Sequence, residues 1–450
     1  MNWGENGGIY FGYPSATTEG MPQWHPDAPK VRYVGDRHIV TVGPNGSGKS
    51  RRLLLPNLVD LTGWSMLVVD PKGELDRMTS RHRAAHGGHI VRLNPFDALG
   101  LGSDGFNPVA ALDPTSDDFP DDAQNLGEAM VRIEGKDPHF SQSAQDLVTA
   151  IIMYVRLTMP GTGSLGDLRA ILGKPTTDFR HAVNQMMNAG IEHDCEELVT
   201  KAGRFAEIDP DNKELNSVVS TALTQTRWLD SRPVKADLSR GAFNFSTMKE
   251  RPTTVYLILP ARRLGTHSTW LRLMIAAVLQ SLMKDTRKAK VPVLFMLDEF
   301  AQLGHLGIIE NNLAMMRGYG IKLWAIFQDL AQAKAIYRER WESFLSNAGV
   351  LNSFAPQDVV TASHLSQLTG QTTRIARAIG ESRNLGQGGS ESLNLSQIQM
   401  PLMLPQDLRN MDDGYNVFFS HKIKGTGRSY LPYPTALPHL KSICALDPGA

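Results

Sequence analysis

Cysteine is almost absent from this 450-residue chain: Cys195 and Cys444 stand far apart and outside any metal-ligand spacing. Two such residues build neither a disulfide framework nor a zinc cluster, and they point to a reducing compartment. Charge of one sign is also lacking. Forty-six basic side chains face forty-six acidic ones, so no overall field draws the chain to nucleic acid, and a polyanion site has to be local or assembled by several subunits. No apolar run approaches the roughly 18 residues a membrane helix needs. The nearest, residues 271–283, is broken by Arg272, Gln280 and Ser281 and reads as a buried helix. Residues 1–30 carry Glu5, Glu19 and Asp27 among many Gly and Pro, unlike a signal or transit peptide, and read as an extended lead-in. There is no internal repeat. The expected location is the cytosol.

What is present is an ordinary globular composition, 41 % hydrophobic and 20 % charged, long enough for two or three cores. After the apolar run 38–42 comes Gly43-Pro44-Asn45-Gly46-Ser47-Gly48-Lys49-Ser50, a complete phosphate-binding loop. Its glycines let successive backbone N–H groups turn toward the phosphates, Lys49 adds a point charge, and the Ser50 hydroxyl is placed to ligate Mg²⁺. Residues 50–60 read as a helix whose positive N-terminal dipole faces the phosphates. The chain is therefore expected to bind a nucleotide.

Strand and helix signals alternate around this loop. Strands at 38–42, 65–70 and 89–93 with helices at 50–60 and 74–86 form a βαβαβ run that builds a parallel sheet. The rhythm resumes with strands at 254–259, 292–298, 321–327 and 415–419 and helices at 266–284, 308–319 and 357–369. Between the two alternations, helical periodicity covers 122–134, 141–158, 177–189, 196–205 and 214–229. The expected organisation is a nucleotide-binding domain in two parts, 1–112 and 231–450, interrupted by an all-α domain at 113–230. A glycine-rich stretch at 380–399 reads as a mobile loop.

Val293-Leu294-Phe295-Met296-Leu297-Asp298-Glu299 is an apolar strand ending in two acids. In P-loop enzymes the first carboxylate joins the Mg²⁺ shell with Ser50, and the second polarises the attacking water. Asp298 is the expected metal partner and Glu299 the base. Asp70-Pro71-Lys72-Gly73-Glu74 follows another apolar strand and offers Glu74 as a rival base, or as an acid that merely stabilises the start of a helix. Gln328, ending the strand 321–327, is placed to read the γ-phosphate or the water. Arg317 is placed to serve a neighbouring subunit as an arginine finger. Surface roles stay open for both.

These residues resemble the soluble ATPase part of type IV secretion coupling proteins, the TraG-type ring ATPases of conjugation. The likeness runs through Val42 to Ser50, Pro56-Asn57-Leu58, Val69 to Glu74, Leu93-Asn94-Pro95-Phe96 and Phe106-Asn107-Pro108. It continues through Leu297 to Gly304, Gln328-Asp329-Leu330-Ala331-Gln332, Trp341, Ser346-Asn347-Ala348-Gly349 and Pro401-Leu402-Met403. The resemblance implies an α/β, RecA-like P-loop domain interrupted by an all-α substrate-recognition domain. It also implies a homo-hexameric ring with ATP and Mg²⁺ between subunits, Arg317 acting in trans, and Gln328 beside it in the site.

Such proteins recruit a relaxase on single-stranded DNA, or protein effectors, and deliver them to other secretion components at the inner membrane. Family members carry N-terminal transmembrane helices, whereas this chain begins almost at the sheet. The expectation is a fragment, or a naturally shortened relative that reaches the cytoplasmic face of the membrane through a partner. The rival readings are a DNA pump of the HerA or FtsK kind and a nucleotide-dependent adaptor with little turnover. Lumen residues are expected in 72–83, with Arg77, Arg81 and Arg83, and in the loop 302–309, a solvated helix face being the alternative for these arginines.

Overall fold

Runs of five apolar residues without polar alternation are stable where a sheet is covered on both faces. The computed structural model describes residues 7–15, 27–133, 138–206, 213–384, 387–421 and 426–444 and buries these runs completely. In chain order the strands are β1 (Ile9–Tyr10), β2 (Tyr13–Pro14), β3 (Arg32–Tyr33), β4 (His38–Val42), β5 (Ser65–Val69), β6 (His89–Leu93), β7 (Thr253–Leu257), β8 (Val293–Leu297), β9 (Ile321–Phe327), β10 (Ala348–Ser353), β11 (Gln371–Asn384), β12 (Gln387–Pro401), β13 (Tyr415–Ser420) and β14 (Thr426–Tyr430). The chain divides into two compact units, Met1–Asn57 with Ile326–Pro438 and Leu58–Ala325 with His439–Ala450.

In the second unit β9, β8, β5, β7 and β6 lie side by side in that order, all parallel. Leu67 pairs in register with Phe295 on one side and Val255 on the other. Parallel neighbours need crossovers. Helices Glu74–Ala85, Ala261–Lys284 and Gly307–Met316 supply them. Every described helix or strand between Leu93 and Thr253 is helical, including Phe119–Met130, His139–Thr158, Thr176–Glu192, Glu196–Ala206 and Lys213–Thr226. Two further helices, Leu165–Leu172 and Arg232–Leu238, were not expected from periodicity. The first is short and is started by a capping box in which Ser164 and Asp167 bond each other's backbone.

In the first unit the order is β2, β14, β13, β10, β4, with β10 parallel to β4 and the other pairs antiparallel. A buried polar row crosses it. Thr41 Oγ1 donates to Asn352 Oδ1 at 3.3 Å, Asn352 Nδ2 to Asn416 Oδ1 at 2.7 Å, and Ser429 Oγ to the same oxygen at 3.1 Å. Buried amides of this kind are tolerated because each is paired.

Three expectations change. Of residues 380–399, the described ones, 380–384 and 387–399, are not an irregular loop: they lie in the strands β11 and β12, whose register runs from Gln371↔Pro401 to Asn384↔Gln387, and residues 385–386 lie outside the described residues. Backbone ladder bonds are indifferent to the Gly, Ser and Asn that made the stretch read as a loop. Part of the lead-in 1–30 is strand, since β1 pairs with β3 and β2 with β14; residues 1–6 and 16–26 lie outside the described residues. The helix after the phosphate loop opens with a π-helical stretch, Lys49–Leu54, before the α-helix Leu55–Asp60.

Candidate functional site

The first unit holds the phosphate-binding loop, and strand ends on either side of β4 hold its base. Gly43 N–H donates to Phe327 O at 3.0 Å, and Phe354 N–H to Val42 O at 2.9 Å. Gly43 is tightly enclosed: a Cβ there would meet Phe354 Cδ2 and Ser47 Oγ at 3.0 Å and Lys49 Cδ at 3.1 Å, so these side chains would have to shift to admit one. Gly46 and Gly48 take left-handed φ of 79° and 80°, which costs a non-glycine residue roughly 1–2 kcal/mol. Lys49 is 6 % exposed, its ammonium donating to Gly43 O at 2.5 Å and Pro44 O at 3.1 Å. Ser47 Oγ is buried with no hydrogen-bond partner. The loop thus presents an orphaned hydroxyl and a buried cation that donates to two of its carbonyls, a donor set suited to phosphate oxygens.

Arg52, not singled out from sequence, anchors the first turn after the loop. Its Nη1 donates to Leu431 O at 2.8 Å, its Nη2 pairs with Asp413, and the guanidinium stands over the Tyr433 ring at 5.3 Å. Asn57, in the Pro56-Asn57-Leu58 motif, is fully buried and exchanges both amide bonds with the Tyr10 backbone while also donating to Leu53 O. Gln328 follows Phe327, the residue bonded to Gly43, and is half-buried; Gln332 Nε2 donates to its Oε1 at 3.4 Å. The loop and Gln328 are therefore together in one unit.

The acids and Arg317 lie in the other unit. Asp298 is 7 % exposed at the end of β8, and its Oδ1 accepts the Glu299 N–H at 3.0 Å. Glu299 sits at φ 53°, ψ 39°, a left-handed conformation that a glutamate adopts only under constraint. Gln302 Nε2 donates to Glu299 Oε2 at 3.2 Å and fixes the head of the side chain. Glu74 opens helix Glu74–Ala85, directly after Gly73 in its left-handed turn. That position gives it helix-start chemistry as well as proximity in sequence to Asp70.

Asp70 is the acid that motif reading undervalued. It is 2 % exposed, and burial, reinforced by the charges of Asp76 and Asp298, pushes its pKa up to about 7, against the N–H donated by Asp76 at 2.9 Å. Its signal was only a strand end before Pro71. Arg317 is exposed in the single turn Arg317–Tyr319 between helix Gly307–Met316 and β9.

The arginines expected in a lumen separate. Arg77 and Arg81 are exposed, but Arg83 is 1 % exposed. Its guanidinium donates to Thr254 Oγ1 at 2.5 Å, Leu58 O at 2.6 Å, Leu61 O at 3.1 Å and Trp64 O at 2.6 Å. Arg83 is a structural clamp with no arm left for a ligand.

Among the described residues no helix is long and apolar enough to cross a membrane. The family model described as Type IV secretory system Conjugative DNA transfer matches residues 10–424. Conjugal transfer protein TraG of Escherichia coli is 30 % identical over 404 residues, 85 % of this chain and 62 % of that protein. Protein VirD4 of Agrobacterium fabrum (strain C58 / ATCC 33970) is 29 % identical over 390 residues, 84 % of this chain and 56 % of its own. The chain thus spans about three fifths of the length of these relatives. Among solved structures, the bacterial conjugative coupling protein TrwBdeltaN70 superposes with a TM-score of 0.68 at 17 % identity, covering 93 % of this chain and 88 % of that one. TrwB in complex with the ATP analogue ADPNP gives 0.66 at 17 % identity, covering 96 % of each chain. At such identity the likeness shows the fold, which is the α/β, RecA-like P-loop fold.

Proposed function

The chain belongs to the type IV secretory conjugative DNA-transfer family, and on that footing we propose that it is an ATP-hydrolysing coupling protein of a type IV secretion or conjugation system. It recruits or translocates single-stranded DNA with its relaxase, or protein effectors, toward the secretion channel. The observation that carries this reading is the cradle of Gly43 to Ser50, with Lys49 on two carbonyls and the Ser47 hydroxyl orphaned. The TrwB complexes with ADPNP, and with ADP and Mg²⁺, support ATP and Mg²⁺ as what the cradle takes.

In this reading Ser50 and Asp298 hold Mg²⁺, which when bound supplies positive charge to the phosphate oxygens. Lys49 exchanges its carbonyl acceptors for phosphate oxygens. Glu299, held in its left-handed turn by Asp298 and Gln302, orients the attacking water and takes its proton. Gln328 contacts the γ-phosphate or that water, and Arg317 enters a neighbouring subunit's site in a homo-hexamer and neutralises charge that develops in the transition state. The helices of 113–230 act as the substrate-recognition domain, flanked by the nucleotide-binding parts 1–112 and 231–450. The protein works at the cytoplasmic face of the inner membrane, with membrane contact through a segment outside this chain or through a partner.

The test is the ATP hydrolysis rate against protein concentration, with and without single-stranded DNA, using Lys49→Ala as the blank. A rate per subunit that rises with concentration and with DNA supports sites completed in trans. A rate that is flat and indifferent to DNA, or absent, supports an adaptor. Stimulation by duplex DNA alone supports a pump of the HerA or FtsK kind.

A further inference from the structure

Residues 113–122 hold five aspartates and no cation: Asp113, Asp117, Asp118, Asp121 and Asp122. This acidic segment lies at one edge of a cavity of about 580 Å³ within the second unit. The cavity is bounded by parts of 106–126 and 242–246 and by the last two turns of helix Ala261–Lys284, so it lies where both connections between the helical stretch and the sheet meet. Its wall carries a series of aromatic rings. Phe243 stacks on His89 at 5.4 Å and meets Phe245 edge-on at 5.3 Å, and Phe245 meets Phe106 at 4.7 Å. Phe106 and Phe245 are buried and close the floor. Phe243 is half-buried, and Ala111 and Ala242 are exposed, so the lining offers accessible apolar surface.

The two cations of the lining are already engaged. Lys284 Nζ lies 2.9 Å from Asp122 Oδ2, 3.4 Å from Asp118 Oδ2 and 3.2 Å from Ser116 Oγ. Arg287 pairs with Asp285 at 2.9 Å and with Glu250 at 2.7 Å. Asp113, which lines the same cavity, is exposed and takes part in no ion pair found among the described residues. Its Oδ1 accepts the Thr115 hydroxyl at 2.7 Å and the Thr115 N–H at 3.0 Å. These bonds hold the carboxyl below the usual carboxylate range, and therefore ionised at neutral pH. Its Oδ2 is left to solvent or a ligand.

We propose that this cavity docks a segment of a partner polypeptide that places an aromatic side chain against Phe243 and a neighbouring lysine or arginine on Asp113. Charge complementarity selects the basic neighbour. The aspartates of 113–122, with Asp285 and Glu250, outnumber the cations beside them, Lys284, Arg287, Lys249 and Arg156, and Arg156 spends its Nε on Leu112 O at 2.8 Å. The same excess opposes a nucleic-acid strand, whose binding depends on accessible positive charge. The wall selects the ring, because edge-to-face and offset aromatic pairs contribute beyond the area they bury. A cavity of this size has room for one such ring and the stem of its neighbour. Its occupant touches both connections of the helical stretch at once. The inference goes beyond the hydrolysis reading and does not depend on it.

The test is fluorescence anisotropy of a labelled, end-blocked Gly-Lys-Trp-Lys-Gly peptide, beside one twin with Glu for Lys and another with Ala for Trp. Phe243→Ala removes the ring. Asp113→Asn removes the charge but keeps the Oδ1 acceptor for Thr115. The basic aromatic peptide is expected to bind wild type and to outbind both twins. It is expected to lose about tenfold in affinity in Phe243→Ala, the scale of an aromatic contact with its buried area. In Asp113→Asn the expected loss is at least about twofold, the scale of an exposed ion pair. If Phe243→Ala does not fold, Asp113→Asn, at an exposed position, carries the readout. The proposal is overturned if the three peptides bind alike, if the Glu twin binds more tightly, or if the basic aromatic peptide does not bind at millimolar concentration. It is equally overturned if a folded variant binds that peptide as wild type does.

Discussion

Replacing Arg83 by Met separates a clamp from a ligand contact. Methionine fills much of the volume of the aliphatic stem but removes four donated bonds, one to Thr254 Oγ1 and three to the carbonyls of Leu58, Leu61 and Trp64. Leu58 lies in the last turn of helix Leu55–Asp60, and Leu61 and Trp64 in the turn that leads to β5, where Leu61 O also accepts the Trp64 N–H at 3.1 Å. A buried acceptor left unpaired costs about 1–3 kcal/mol, and such losses do not add fully because the turn relaxes. The sum expected is about 3–5 kcal/mol. A lysine recovers only part of it, since one ammonium cannot reproduce a planar fork reaching three carbonyls and a hydroxyl. At roughly 2–4 °C per kcal/mol for a unit of this size, Arg83→Met lowers Tm by about 6–20 °C in a thermal melt. Arg77→Met and Arg81→Met, at exposed positions, stay within about 0.5 kcal/mol of wild type. The reasoning fails if Arg83→Met melts with wild type, and the lumen reading returns if that variant also loses stimulation by single-stranded DNA.

Glu299→Gln should still bind ATP while hydrolysis falls at least about a hundredfold, the usual scale for losing a general base; near-wild-type turnover would move the base to Glu74. Arg317→Ala should lose about a thousandfold in rate and regain part of it when mixed with Lys49→Ala, because finger and loop then come from different chains. No rescue at any mixing ratio would count against sites completed in trans. Asp70 gives a pH signature. Its folded pKa, about 7, exceeds the ordinary 3.8, so the folded state keeps a proton that the unfolded chain releases. The stability this contributes is whole below pH 3.8 and is lost as pH rises through 7, a difference of about 4 kcal/mol between the limits. Without Mg²⁺ or nucleotide, Asp70→Asn should therefore gain in Tm on wild type between pH 5 and pH 8. Parallel melting curves across that range would refute the assignment.

What was legible in the sequence was chemistry set by neighbours along the chain. The glycine spacing of Gly43 to Ser50 after an apolar strand defines the loop without knowledge of what packs on it, β8 announces itself as an unbroken apolar run, and β9 as one that is continuous after Lys322. Strands stabilised by cross-strand partners did not. β10 reads Ala-Gly-Val-Leu-Asn-Ser, and its Asn352 is acceptable inside a sheet only because Thr41 and Asn416, distant in sequence, pair with it. The left-handed backbone of Glu299 has no signature in composition at all.

The arginines show where more could have been read. Arg77 and Arg81 are four residues apart and share one helix face, whereas Arg83 falls in step with Leu75 and Thr79, both buried, so the helical period alone assigns it to the interior. Period does not finish the argument. Arg272 is as deeply buried by the same logic, yet one cation has every arm accepted by the protein and the other has an arm left over. Burial says that a charge has been taken from water, and only the count of its filled hydrogen bonds says how much of the compensation the fold itself supplies, in full at Arg83 and in part at Arg272.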